Sequence, residues 1–272
     1  MNRLDAWRSD WRSQIDAETP EFVGGFPPNR LSDRRVFEAF TVALLSGNAR
    51  WDRIAAVRPA LSEPFHHYDL ARFAALSDVN IDQTLVPWFA RHRAGSAGLA
   101  QGLRRLRRTA TVLEAHGSYE YLRDVFAAAD GSPDRAAVLL GHSSQWKLPG
   151  FGIALAAEAL RLLGFDLSKP DRHVLRALGS WDIVAFSRWD RKGEFTAPQA
   201  RPKELASAMT AVRALAADNE VGTSVCTSVI WTAGAVSGAR LTNAEFAALA
   251  MEASGKDLTS MDRGRKDGET TV

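Results

Sequence analysis

Two stretches carry residue types that could do chemistry. The first is Ser168-Lys169-Pro170-Asp171-Arg172-His173-Val174-Leu175-Arg176. It reads as a helix start, with Ser168 as N-cap, Pro170 in the first turn and Asp171 at the acidic capping-box position. A helix N-terminus favours an ionised carboxylate. A carboxylate fixed there can stabilise developing positive charge, or orient and deprotonate a water. The second stretch is Leu148-Pro149-Gly150-Phe151-Gly152, a turn between helical segments that ends 19 residues before Asp171. Pro149 cannot continue the preceding helix, and the glycines permit backbone angles closed to other residues. The run Ile153-Ala154-Leu155-Ala156-Ala157-Glu158-Ala159-Leu160 is then strongly helical. A glycine-lined turn feeding a helix points free N–H groups at one spot, which suits a phosphate.

Composition narrows the alternatives. With 272 residues the chain can form one large or two small domains. Helix formers dominate and β-branched clusters are few, so the expected fold is all-α. The net charge is +2, so any nucleic-acid surface must be local. Cys226 is the single cysteine, which excludes an internal disulfide and a four-cysteine zinc or iron–sulfur site. Adjacent His66 and His67 diverge and lack a convincing third ligand, so no metal site is expected. No run of about 18 apolar residues occurs, and Met1 to Asp10 has no apolar core. The expectation is a cytosolic protein with no membrane partner.

The elements that must position these stretches follow from pattern. Residues 1 to 20 read as a polar amphipathic helix with Trp7, Trp11 and Ile15 on one side, and 21 to 31 as a loop. Ser32 and Asp33 cap a helix over Val36 to Ser46. Gly47-Asn48 can end it as a C-cap. Ser77 or Asp78 starts a further helix whose pattern Pro87 breaks near Trp88. Residues 96 to 116 place Leu99, Leu103, Leu106, Ala110 and Leu113 on one stripe. Arg104, Arg105, Arg107 and Arg108 lie off it. They could track phosphates, although a solvated face paired with acidic neighbours is the preferred reading. Short helices over 118 to 128 and 133 to 145 lead into the turn. Helices over 203 to 217 and 219 to 236 follow, and the tail after 254 has almost no apolar side chains and should be disordered.

The turn, the spacing and Pro170-Asp171-Arg172-His173-Val174-Leu175-Arg176 together resemble the helix-hairpin-helix DNA glycosylase superfamily, which includes endonuclease III and the 3-methyladenine DNA glycosylases. The resemblance covers about residues 33 to 180. Leu44-Leu45-Ser46-Gly47-Asn48 is similar to the family's wedge segment. It implies that Asn48 enters the duplex beside a flipped nucleotide. Phe65, His66, His67, Tyr68 and Trp51 fall where the 3-methyladenine group lines its base pocket. They could equally belong to an inter-helix loop with core aromatics. The absence of a cysteine cluster or zinc site departs from both named branches.

The resemblance implies two helical lobes. A six-helix barrel would span 33–174, with the helix-hairpin-helix at about 133–164. A lobe from both termini would span 1–32 and 175–255, ahead of a disordered 256–272. Asp171 would be catalytic, stabilising the oxocarbenium character that builds on deoxyribose as an N-glycosidic bond breaks. Lys147, Leu148, Gly150, Phe151, Gly152 and Arg172 would meet the DNA backbone. Hairpin carbonyls could hold a monovalent cation, with no other cofactor implied. Bifunctional relatives carry a lysine where this chain has Ala154. The expectation is therefore a monofunctional, monomeric enzyme acting on double-stranded DNA with a modified base. That base could be an alkylated purine or a modified base in foreign, phage-like DNA, in repair or antiviral defence. A non-catalytic hairpin DNA-binding protein is the alternative.

Overall fold

A computed structural model describes residues 31–48, 51–190 and 197–236. The helix starts expected from local chemistry form where side chains can satisfy free N–H groups. Ser32 Oγ accepts from Arg35 N at the head of α1 (Asp33–Asn48). Two short helices follow, α2 (Trp51–Val57) and α3 (Leu70–Ala74), the latter capped by Asp69. Ser77 and Asn80 make a reciprocal capping box on α4 (Asp78–Asn80).

Pro87 does not break the next helix as expected. A π-helical turn over Ile81–Leu85 precedes it, and α5 (Val86–Arg91) takes Pro87 into its first turn. The helix is continuous there: Val86 N donates five residues back to Ile81 O, and the wider π turn accommodates a residue with no N–H to give.

The long α6 (Leu99–His116) buries the stripe Leu99, Leu103, Leu106, Ala110 and Leu113. Next come α7 (Ser118–Ala128), α8 (Pro133–His142) and α9 (Ile153–Leu162). Asp33 accepts from the Ser118 hydroxyl and backbone N–H, joining the starts of α1 and α7. Helix α9 packs on α8 and α1, and α6 on α3 and α1. Gly141 makes the α8–α9 crossing possible: a Cβ there would overlap the backbone of Ile153.

The chain divides after Asp166, and Leu167 opens a second unit. This boundary differs from the expected one after residue 174, so Asp171 belongs to the second unit. The physical reason lies in α10 (Arg172–Ser180) and α12 (Thr223–Val236), which pack together. Ser224 Oγ is paired with both N and O of Leu167 at 3.3 Å. The core of this unit gathers Val174, Leu175 and Leu178 with Val212 of α11 (Pro202–Asp218), Cys226, Val229 and Ile230. A two-residue antiparallel pair, β1 (Trp189–Asp190) with β2 (Ala197–Pro198), is the only strand pairing among the described residues, and the fold class is all-α. Expectations for 1 to 30 and for the tail lie outside the described residues.

Candidate functional site

The hairpin of the first unit is built by packing from below. Leu148 and Phe151 are buried, and Phe151 meets Phe40 edge-to-face at 5.1 Å. Leu148 N donates to Leu140 O at 2.9 Å, and the Thr109 hydroxyl donates to Pro149 O at 2.7 Å. These contacts hold the loop between α8 and α9. Gly150 has φ +85°, in the left-handed region that other residues rarely adopt. Gly152 is exposed, sits at the N-cap of α9, and has open space where a Cβ would project. An incoming group can therefore approach the α9 N-terminus at that point. Lys147 beside the turn is exposed. Tyr121 OH donates to Trp146 O at 2.9 Å, and burial pushes its phenol up to about 12, so it remains a donor at neutral pH.

The four-arginine cluster on α6 divides. Arg104 pairs with Asp82 at 2.6 Å and Arg107 with Asp78 at 3.1 Å, as the solvated-face reading expects. Arg105 and Arg108 are exposed, with no carboxylate partner among the described residues. The Arg105 stem lies 2.7 Å from where a Gly150 Cβ would stand.

The expected base-pocket aromatics are placed otherwise. Phe65 and Tyr68 are buried, and Phe65 stacks with Tyr68 at 6.1 Å and with Phe73 at 5.3 Å. Their rings belong to the core of the first unit, so neither can meet a ligand without opening that core. Burial also pushes the Tyr68 phenol up to about 12, helped by Glu38 and opposed by Arg58 and Arg34. His66 is half-buried and His67 exposed, with His67 Nδ1 3.0 Å from Ser62 Oγ. Asn48 closes α1, but its side chain and that of Trp51 lie outside the described residues.

In the second unit, Asp171 is itself the N-cap of α10, three residues later than the expected Ser168 N-cap. Ser168 Oγ is instead buried, with no hydrogen-bond partner among the described residues. Asp171 Oδ1 accepts from His173 N at 2.9 Å and Val174 N at 3.2 Å. Oδ2 accepts from the Trp231 indole N–H at 2.9 Å, and Lys169 Nζ lies 3.8 Å from the same oxygen. The carboxylate is thus fixed through both oxygens, yet its side chain keeps 18% of its surface exposed.

Around it, Arg172 is exposed and its Nε donates to His173 Nε2 at 3.2 Å. Burial holds the His173 imidazole below its ordinary range. Arg172 and Arg176 push the same way, while Asp171 and the Gly234 carbonyl oppose them. Arg176 is buried and donates to Gly234 O at 2.7 Å. Burial, with Arg172, pushes its guanidinium down, and Asp171 opposes the shift. Trp231 is the residue that sequence spacing does not single out. Its one signal was an indole donor on an otherwise apolar helix, since a partly buried Trp needs an acceptor.

Among the described residues, no group of three or more His, Cys, Asp or Glu side chains could hold a metal ion, and no helix is long and apolar enough to cross a membrane. Comparison with known proteins finds no matching family model, curated protein or solved structure.

Proposed function

We propose that this chain is a monofunctional DNA glycosylase. In this reading it flips a modified base out of double-stranded DNA and hydrolyses its N-glycosidic bond, leaving an abasic site. The observation that carries the reading is the way Asp171 is held. A cap needs one carboxylate oxygen, and Oδ1 already accepts two backbone N–H groups. The indole bond aims the second oxygen, which capping does not require. A fixed, partly exposed carboxylate is suited to a sugar acquiring positive charge and to the water that attacks it. The exposed glycine N-cap of α9 and nearby Lys147 support a phosphate contact at the hairpin. Ala154 leaves no amine where bifunctional relatives carry one. The alternative, a non-catalytic hairpin DNA-binding protein, gives the indole on Oδ2 no role beyond packing.

The test is a panel of duplexes carrying alkylated, oxidised, deaminated or phage-type modified bases. Each is incubated with the protein, then treated with alkali and scored for strand breaks. Asp171→Asn should keep duplex binding and lose about 100- to 1000-fold or more in excision. Borohydride added during turnover should trap no protein–DNA adduct. Near-normal turnover by Asp171→Asn would remove the catalytic assignment. A borohydride adduct would replace hydrolysis with lysine chemistry.

A further inference from the structure

The first unit carries an open cleft of about 650 Å³ away from the hairpin. It is lined by Arg53 and Ala56 of α2, Ala90 of α5, and His92, Arg93 and Gly95 beyond the end of α5. Among the described residues, the lining holds two guanidinium groups and an imidazole and no carboxylate. Neither Arg53 nor Arg93 has an ion-pair partner among the described residues, although arginines elsewhere in the unit are paired with Asp78, Asp82, Asp124 and Asp130. Three small residues, Ala56, Ala90 and Gly95, keep the floor open to a bulky group.

The backbone at the end of α5 sets how Arg93 is presented. Arg93 N donates to Ala90 O at 3.1 Å, and Ala94 N donates to Phe89 O at 2.9 Å. That pair of bonds is a Schellman motif, and Arg93 occupies its left-handed position at φ +55°. Glycine is the residue that fits there without strain. The same arrangement ends helices at Asp130, Asp182 and Glu220, so here it fixes where the Arg93 side chain leaves the backbone rather than marking strain peculiar to this site. His92 is fixed as well. Its ring stacks on Trp88 at 4.0 Å, and Nδ1 donates to Trp88 O at 2.8 Å, so Nε2 is the nitrogen left for a ligand.

We infer that this cleft is a second anion site, separate from the hairpin, which takes phosphodiester groups of a nucleic-acid strand. Planar guanidinium forks match phosphate oxygens, and two forks lining one cleft, with no ion-pair partner among the described residues, suit successive phosphates. The choice of a nucleic-acid strand over a small phosphate compound rests on the proposed DNA-binding reading; the anion chemistry does not. The contact reads charge alone, so it should be indifferent to base sequence.

The experiment measures binding of the full chain to unmodified duplex across salt concentrations. Each phosphate contact contributes about 0.9 to the slope of log affinity against log salt. Arg53→Ala with Arg93→Gly should lower that slope by about 2, equally for unrelated sequences. Arg91→Ala, exposed but outside the cleft lining, should leave the slope nearly unchanged. Arg93→Gly alone should melt at or above the temperature of the unaltered protein, because glycine suits the left-handed position, and still bind duplex more weakly. An unchanged slope in the folded double variant would overturn the site, and so would an equal loss from Arg91→Ala. Inorganic pyrophosphate serves as the small-anion probe. If it shifts the Ala56 and Gly95 amide resonances while the slope stays unchanged, the occupant is a small phosphate and the strand assignment is overturned. Because the duplex is unmodified, failure of base excision leaves this test intact.

Discussion

Replacing Trp231 by Phe removes one N–H from Asp171 Oδ2 and keeps an aromatic ring of similar shape. The bond is 2.9 Å long and its acceptor is a carboxylate. Hydrogen bonds to charged groups contribute about 1.5–3 kcal/mol. Asp171 is partly exposed, so water can replace some of that contribution to stability. The folded state should lose only about 1 kcal/mol. Water cannot restore the direction of the oxygen as well. If Oδ2 faces the developing charge, excision should slow by about 10- to 150-fold, the rate equivalent of the bond. The indole touches the carboxylate and is assigned no DNA contact, so affinity for duplex should not change. Single-turnover excision of the best substrate from the duplex panel, beside binding and thermal melting, reads all three quantities.

The Asp171→Asn variant sharpens the test. An Asn that keeps its oxygen on the His173 and Val174 amides turns its NH2 toward the indole N–H, placing two donors face to face. Adding Trp231→Phe relieves that clash. The double variant should therefore be more stable than the sum of the single losses by about 1 kcal/mol, beyond the roughly 0.5 kcal/mol scatter of independent sites. Full-rate excision by Trp231→Phe would show that the indole is only packing. Additive stabilities would show that it does not engage the carboxylate.

Three further outcomes can be checked by melting and binding. Gly150→Ala forces a side chain into φ +85°, 2.7 Å from Arg105 Cβ, and should cost about 1–3 kcal/mol in stability. Gly152→Thr meets open space at an N-cap where threonine and glycine are about equivalent, so the fold should keep its melting temperature while binding weakens for every sequence alike. Glu204 accepts from Arg201 N at 2.6 Å and Ser187 N at 2.8 Å, and these backbone bonds, the Arg201 one first, lower its pKa from 4.5 to about 2. A depressed carboxyl adds stability above its unfolded value and loses it as pH falls through the folded value. Glu204→Gln should therefore melt earlier than the unaltered chain at neutral pH, and the gap should close between about pH 4.5 and 2.

Helical content, the α6 stripe and the caps at Ser32 and Ser77 were legible in the sequence, because each depends on neighbours within one or two turns. The turn between α8 and α9 was legible for the same reason: Pro149 and the left-handed Gly150 act on their own backbone. Residues further apart were not. Arg104 finds Asp82 across 22 positions and Arg107 finds Asp78 across 29, so which arginines of the cluster are paired is decided only in the folded chain. Phe65 and Tyr68 carry the same residue types whether they line a pocket or fill a core, and packing against Phe73 decided for the core. Asp171 shows the division most clearly. Local sequence determined that a carboxylate would stand at a helix start. Tertiary structure alone decided that Trp231, 60 residues later, would aim its second oxygen, because a hydrogen bond between helices depends on how α10 and α12 pack.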